Sequence, residues 1–383
     1  MKIDTKVIEN SVIYICLILV LIGIFVLGNI GSYRFDNQFF FRQVIWIIIT
    51  VPFVLLFYRI NVKKLRKFAL PLLIFGLLLL IGVFIPGVGI RVNNAFRWID
   101  IGPIRFQPST IARLIFIFYL VHFLVKNKDI IELSNPLQFL KNFIPLIIVP
   151  LLYCSLVYIE PDLSSTIILF LIYLSILFIT KIKILTIFLI LLLVVILFTV
   201  SIKTGPQFRK ERISAFWKLL NGEKIDREIE KKYFYHSKES LIALSNGGIF
   251  GKGSNQGRAK LFYLPSAETD YIFSIMGEEY GFIGSVVLIF IYGTLILGCF
   301  TLAQRANDLF YSFLIAGLTF NLVYNILINI CVVTCIIPST GVSLPFISYG
   351  GSALLIDAVA IAIIINASRR ARFQKRVKVY NYV

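Results

Sequence analysis

The run VIYICLILVLIGIFVLG at residues 12–28 contains no charged side chain. A helix of this kind approaches the ~30 Å hydrocarbon core of a bilayer, which takes roughly 20 apolar residues to cross. A short polar stretch precedes it and no small-residue cleavage site follows, so it reads as an uncleaved first span. Nine similar runs follow, near 43–58, 68–86, 109–125, 143–159, 164–180, 184–202, 280–302, 311–336 and 351–367. The expected fold is an all-α integral membrane protein with ten transmembrane helices, a single polytopic unit over residues 1–383.

Composition agrees with that reading. Hydrophobic residues make up 58% of the 383 and charged residues 15%, with a mean hydropathy of +0.87. A soluble domain carries about 45–50% apolar and about 25% charged residues. A soluble enzyme, a disordered chain and a disulfide-rich secreted domain are thereby excluded.

The net charge of +18 would suit a nucleic-acid binder, but its placement points elsewhere. With the N-terminus inside, the short cytoplasmic segments hold 19 Lys and Arg. The short outer loops hold five: Arg34, Arg42, Arg91, Arg97 and Arg105. Cytoplasmic loops collect basic residues, so both termini are expected inside, with 369–383 a basic cytoplasmic tail and no nucleic acid involved. Another 13 basic residues fall in 203–269, the expected large extracytoplasmic loop between spans 7 and 8. Alternating charges at Lys224, Asp226, Glu228, Glu230 and Lys232 suggest a solvated helix there, and Gly-rich turns begin at Ser245–Gly248.

Metal and thiol chemistry has little material. The five cysteines lie in or beside spans; Cys331 and Cys335 share a helix face at i, i+4, but no further ligand joins them. They read as packing residues. Two histidines, His122 and His236, cannot furnish a His-based metal site or a Ser-His-Asp triad.

Four polar clusters interrupt the apolar pattern. The loop PGVGIRVNNAFRWIDIGPIRFQPS at 86–109 reads either as a structured loop with Trp98 at headgroup level or as an arginine-based anion site. Glu160-Pro161-Asp162 sits between two spans, where carboxylates either cap the next helix or need buried partners. Arg113, inside the fourth span, needs a partner too, and Glu160 or Asp162 is expected to supply it. Asp270 stands where the long loop re-enters apolar sequence. It either caps the next helix or, partly desolvated, serves as a general base. From Pro338 to Ser352, Pro and Gly are too dense for a helix, so the chain must turn or re-enter. Asn321, Asn325 and Asn329 form an i, i+4, i+8 stripe just before it, suited to interhelical hydrogen bonds.

Taken in order, these clusters resemble the SEDS family of polytopic membrane glycosyltransferases. The matching residues are Phe96-Arg97-Trp98-Ile99 with Gly102, Gln107-Pro108-Ser109, Glu160-Pro161-Asp162-Leu163, Ser240-Leu241-Ile242-Ala243 with Gly247-Gly248 and Gly251-Lys252-Gly253, Leu264-Pro265 with Thr269-Asp270, Glu278-Glu279 with Gly281, and Pro338 to Ser352. They span about 12–368. The resemblance implies polymerisation of lipid II into glycan strands at the outer face of the bacterial cytoplasmic membrane. It also implies a class B penicillin-binding protein as partner, alongside other division or elongation proteins.

By the same resemblance, Asp270 is the catalytic residue. Arg97, Trp98, Gln107, Ser109, Arg113, Glu160, Asp162, Gly248, Lys252, Glu278, Glu279, Ser348 and Tyr349 are substrate-binding candidates. No protein metal site is expected, although a divalent cation is a candidate to share the pyrophosphate charge. The division branch, and so the septum, is favoured by Ser240-Leu241-Ile242-Ala243 and by Gly257-Arg258 through Leu261-Phe262-Tyr263-Leu264-Pro265. Ser339-Thr340-Gly341 is closer to the elongation branch. The sequence departs from the family pattern at Thr110 (usually Glu), Arg113 (usually Lys), Glu268 (often His) and Ser164 (usually Gly), and Asp357 in the last span has no nameable partner. A transporter that flips the lipid-linked precursor and a non-catalytic scaffold remain the alternatives.

Overall fold

The computed structural model describes residues 4–34, 37–92, 95–101, 104–133, 135–204, 211, 214–218, 221, 234–254, 256–259 and 264–380. The charged stretch from Lys224 to Lys232 lies outside them. Each of the ten apolar runs becomes a helix. These are α1 (Thr5–Arg34), α2 (Gln38–Arg59), α3 (Ala69–Gly82), α4 (Pro108–Lys126), α7 (Ile144–Ile159), α8 (Leu163–Ile179), α9 (Ile184–Thr204), α11 (Ile272–Arg305), α12 (Leu309–Val333) and α13 (Gly351–Tyr380). Two short helices, α5 (Lys128–Leu133) and α6 (Pro136–Asn142), link α4 to α7, and α10 (Tyr235–Gly247) precedes α11.

Seven described helices are long and apolar enough to cross a membrane; α7, α8 and the apolar part of α9 are shorter. Prolines inside α2 (Pro52) and α7 (Pro150) would cost ~3 kcal/mol in an isolated helix, but are tolerated where neighbouring helices reseat the freed carbonyls.

Three expectations need correction. The fold is not purely helical: 86–109 contains a three-stranded antiparallel sheet of β1 (Gly89–Val92), β2 (Ala95–Ile101) and β3 (Ile104–Phe106). Within it Ile99 is buried and Trp98 is paired with Ile90, neighbours that point to opposite faces of β2. The eighth long helix starts at Ile272, not near 280, because it continues past Gly281 through a kink at φ 67°. Cys331 and Cys335 do not share a helix, since α12 ends at Val333 and Cys335 is left-handed at φ 56° with its thiol on the Ser237 carbonyl.

Burial separates the helices into two groups. Most of α4, α12 and α13 is buried, whereas α1, α2, α3 and α11 turn large apolar side chains such as Ile48, Phe290 and Leu297 outward. So large an apolar exterior suits hydrocarbon rather than water. Around the inner group, α12 packs on α4, α8, α11 and α13, and α2 lies along α13. The β-sheet, the α7–α8 junction, the start of α11 and the segment after α12 meet at one end of the bundle, as the contacts below show.

Candidate active site

Asp270 is fixed first by its backbone. Its N–H donates to the Ser266 carbonyl at 3.1 Å, and its carbonyl accepts from Asn329 Nδ2 at 2.8 Å. The same Asn329 amide donates to the Val342 carbonyl at 2.7 Å. One buried asparagine on α12 thus ties the approach to α11 and the post-α12 segment together. A Cβ on Gly341 would lie 3.6 Å from Asp270 Oδ2, so this glycine lets the segment pack against the carboxylate. Asp270 does not cap α11; Tyr271 holds that position without a side-chain cap. Removal from water raises the Asp270 pKa to about 7, against the opposing pull of Thr269 and Arg97.

Arg97 comes from β2. Its Nε donates to the Glu160 carbonyl at 3.2 Å, and its Nη2 donates to the Pro161 carbonyl. The hairpin therefore lays a guanidinium across the α7–α8 junction, within electrostatic reach of Asp270. Arg105 takes another course, pairing with Asp100 on the hairpin surface at 2.9 Å.

The two carboxyls of the Glu-Pro-Asp turn are not equivalent. Asp162 caps α8, accepting from Ser165 N at 3.1 Å and Ser165 Oγ at 2.8 Å, and also from Gln107 Nε2 at 2.8 Å. Glu160 is fully buried with no hydrogen bond to either carboxyl oxygen among the described residues. Burial, with Asp162 nearby, pushes its pKa up to about 9, so it is protonated at neutral pH.

Arg113 does not bond to either of them. It donates to Asn325 Oδ1 at 3.0 Å and lines a polar cavity of about 40 Å³ with Gln107, Thr110, Asn325, Gly341 and Asp357. Asp357 attracts it more strongly than Asp162 does. The expected pairing with Glu160 or Asp162 is not made: Arg113 bonds Asn325, and Asp162 is engaged as the cap of α8. Asp357, without a nameable partner in the sequence, faces Arg113 across the cavity. That cavity exceeds the ~10–15 Å³ a single water requires, and it has the polar partners a water needs.

The remaining candidates fall into two places. Ser109 is buried at the start of α4, and Trp98 is half-buried on β2. Tyr349 donates its N–H to the Glu268 carbonyl at 2.8 Å and meets Phe39 edge-on, close to Asp270 in the chain fold. Ser348 Oγ accepts from Leu344 N at 2.9 Å, closing the turn before α13. Gly248, Lys252, Glu278 and Glu279 lie apart from the polar cavity, at the joint where 248–253 docks on α11. There Lys252 meets Glu278 at 3.5 Å, Ala259 N donates to Glu278 at 2.8 Å, and the N–H groups of Lys252 and Gly253 donate to the Glu278 and Glu279 carbonyls. Asn325, Asn329, Gly341 and Asp357 belong to the site but not to the candidate set. The asparagine spacing was the signal for the first two. His236, stacked on Tyr271 at 6.0 Å, is also beside it.

A carboxylate with a pKa near 7 beside a cation is suited to accept a proton while an anionic group departs nearby. Among the described residues no group of three or more His, Cys, Asp and Glu is arranged to hold a metal ion.

Fold and site together define a polytopic helical membrane protein whose loops bring Asp270 and Arg97 to the same end of the bundle. The chain belongs to the FtsW/RodA/SpoVE family, described as cell cycle protein, which it matches over residues 9–373. The "Probable peptidoglycan glycosyltransferase FtsW" of Trichlorobacter lovleyi is 34% identical over 334 residues, covering 87% of this chain and 84% of that protein. "Stage V sporulation protein E" of Bacillus subtilis is 30% identical over 372 residues, covering 94% and 97%. Solved structures share the fold, among them two. One, described as "Structural coordination of polymerization and crosslinking by a peptidoglycan synthase complex", gives a TM-score of 0.75 at 23% identity, covering 94% of this chain and 97% of that one. The rod shape determining protein RodA of Thermus thermophilus gives 0.64 at 21% identity, covering 94% and 95%.

Proposed function

We propose that this protein is a peptidoglycan glycosyltransferase that polymerises lipid II into glycan strands, acting in cell division. Family membership and the FtsW relatives support the reaction class, and the position of Asp270 is the observation that carries the mechanism. Glycosyl transfer joins an acceptor hydroxyl to an anomeric carbon whose leaving group is a lipid pyrophosphate. Asp270 takes the hydroxyl proton as the new C–O bond forms, a role typically worth ~10²–10⁴ in rate. Arg97 faces the departing pyrophosphate and meets its charge. A divalent cation is a candidate to share that charge, and no step here depends on it.

The proposed topology has ten spans, both termini in the cytoplasm and 203–269 outside, supported by the 19-to-5 distribution of basic residues. It puts Asp270 at the outer face, where lipid-linked substrate and a class B penicillin-binding protein would be met, with the septum as the working place. Purified protein reconstituted with lipid II, with and without a penicillin-binding partner, tests the proposal. Glycan strands from the wild type at a rate ~10²–10⁴ above that of Asp270→Asn support it. Transbilayer movement of labelled lipid without polymer would replace it with transport.

A further inference from the structure

At the end of the bundle opposite Asp270, two cavities adjoin where α2 ends against α13. One, about 400 Å³, is an open recess on the outward side of α2, lined by Pro52, Leu55, Leu56, Arg59 and Ile60. The other, about 370 Å³, is lined by Arg59, Arg369, Arg370, Asn366, Tyr58 and Phe373. Arg59 belongs to both, so an apolar recess along a membrane helix leads into a pocket with three guanidiniums.

Two of those guanidiniums are held in place. Arg370 donates from Nε to Asn366 Oδ1 at 2.7 Å and from Nη2 to the Arg59 carbonyl at 2.8 Å. Arg369 lies over the Tyr58 ring, 4.6 Å from its centre. Asn366 Nδ2 donates to the Phe57 and Ile60 carbonyls at 2.7 and 2.6 Å, meeting acceptors that the end of α2 leaves open. Capping α2 accounts for Asn366 and for part of Arg370. It does not account for Arg59 or Arg369.

Charge balance separates this pocket from its surroundings. Nearby, Arg372 pairs with Glu9 at 3.4 Å and Lys63 pairs with Asp308. Among the described residues no carboxylate lies within ion-pair distance of Arg59, Arg369 or Arg370. Three like charges in one pocket repel, and the C-terminal dipole of α2 offsets only part of that. Guanidinium forks match phosphate oxygens two at a time. The adjoining recess is apolar and faces outward among exposed leucines, so the anion that fits carries an acyl chain.

We propose that this is a binding site for an anionic glycerophospholipid. Its phosphate lies between Arg59 and Arg369, and one acyl chain runs along Pro52 to Ile60. Basic pockets between transmembrane helices recognise lipid phosphates in this way. The lipid would bridge the ends of α2 and α13, far from the catalytic end.

Native mass spectrometry of the purified protein, given equal phosphatidylglycerol and phosphatidylcholine, tests this. Phosphatidylglycerol should be retained in preference. Arg59→Gln and Arg369→Gln should each reduce the preference roughly fivefold. Arg372→Gln, whose charge Glu9 already meets, should leave it unchanged. Circular dichroism and thermal unfolding check that each variant is folded, and if Arg59→Gln is not, Arg369→Gln alone carries the test. Equal retention of both lipids would mean nonselective annular lipid and overturn the proposal, as would an unchanged preference in folded Arg369→Gln. Displacement of bound lipid by millimolar inorganic phosphate would make it a site for free anions instead.

Discussion

Arg113 on α4 donates to Asn325 Oδ1 on α12 at 3.0 Å, and Asp357 on α13 supplies the opposing charge in the same cavity. Both charged side chains are almost fully buried. The two are not in ion-pair contact, but removing either leaves the other charge buried and less compensated, which destabilises the fold. Asp357→Asn and Arg113→Gln should therefore each lower thermal stability in detergent. The double variant should recover part of the loss, with a coupling of ~0.5–3 kcal/mol. Strictly additive losses would disprove the pairing, and exchanging Arg113 with Glu160 should rescue nothing.

Asp270 should set the pH dependence of polymerisation. A general base works deprotonated, and burial raises this carboxyl to about 7. Activity should climb as pH rises through about 7 and level off above it. Asp270→Asn should fold and insert normally while losing ~10²–10⁴ of the rate. A wild-type profile flat between pH 6 and 8 would remove Asp270 from the role of base.

The helices were readable because a bilayer imposes a single strong requirement, a run of about 20 apolar residues, and ten such runs stand in the sequence. The hairpin at 89–106 is harder to read, since its strands are short and the adjacent Trp98 and Ile99 break strict alternation. Asp270, Arg97 and the Glu-Pro-Asp turn stood out as charge in apolar surroundings. Their partners did not. Arg113 faces Asp357 across 244 positions of chain, and charge alone gave no reason to prefer it over Glu160. Deciding between them required knowing that Asp162 is a cap and that Arg113 bonds Asn325, both consequences of packing. Asn329 was visible only as part of a stripe; that it holds the Asp270 carbonyl follows from where α12 ends.

Glu160 should behave as a neutral group. With its pKa raised to about 9 by burial, its contribution to stability is fully present below the unfolded value and is lost as pH rises through about 9. Glu160→Gln replaces one neutral side chain by another of the same shape. It should keep polymerisation within about threefold of wild type and remove the fall in stability that Glu160 causes as pH rises from its ordinary 4.5 to about 9, read by thermal unfolding across that range. An inactive but folded Glu160→Gln would show that the carboxyl itself takes part in the reaction.

The joint between 248–253 and α11 depends on glycine in a way that two substitutions can separate. Gly281 is left-handed at φ 67°, and a Cβ there would lie 2.2 Å from the Gly251 nitrogen. Gly251 is itself at φ 82°, with room for a Cβ blocked by the Glu279 carbonyl at 2.2 Å. Neither backbone can retreat, because Phe282 N donates to the Gly248 carbonyl at 2.9 Å and Gly253 N to the Glu279 carbonyl at 3.0 Å. A non-glycine residue held in such a conformation costs ~1–3 kcal/mol before the clash is counted. Gly281→Ala should therefore lower the unfolding temperature markedly. Gly293 lies further along the same helix, where an added methyl would meet nothing within 4 Å, so Gly293→Ala should be neutral or stabilising by ~0.5–1 kcal/mol. If both alanines behave alike, the kink at Gly281 is an ordinary helix position and the docked loop does not hold it.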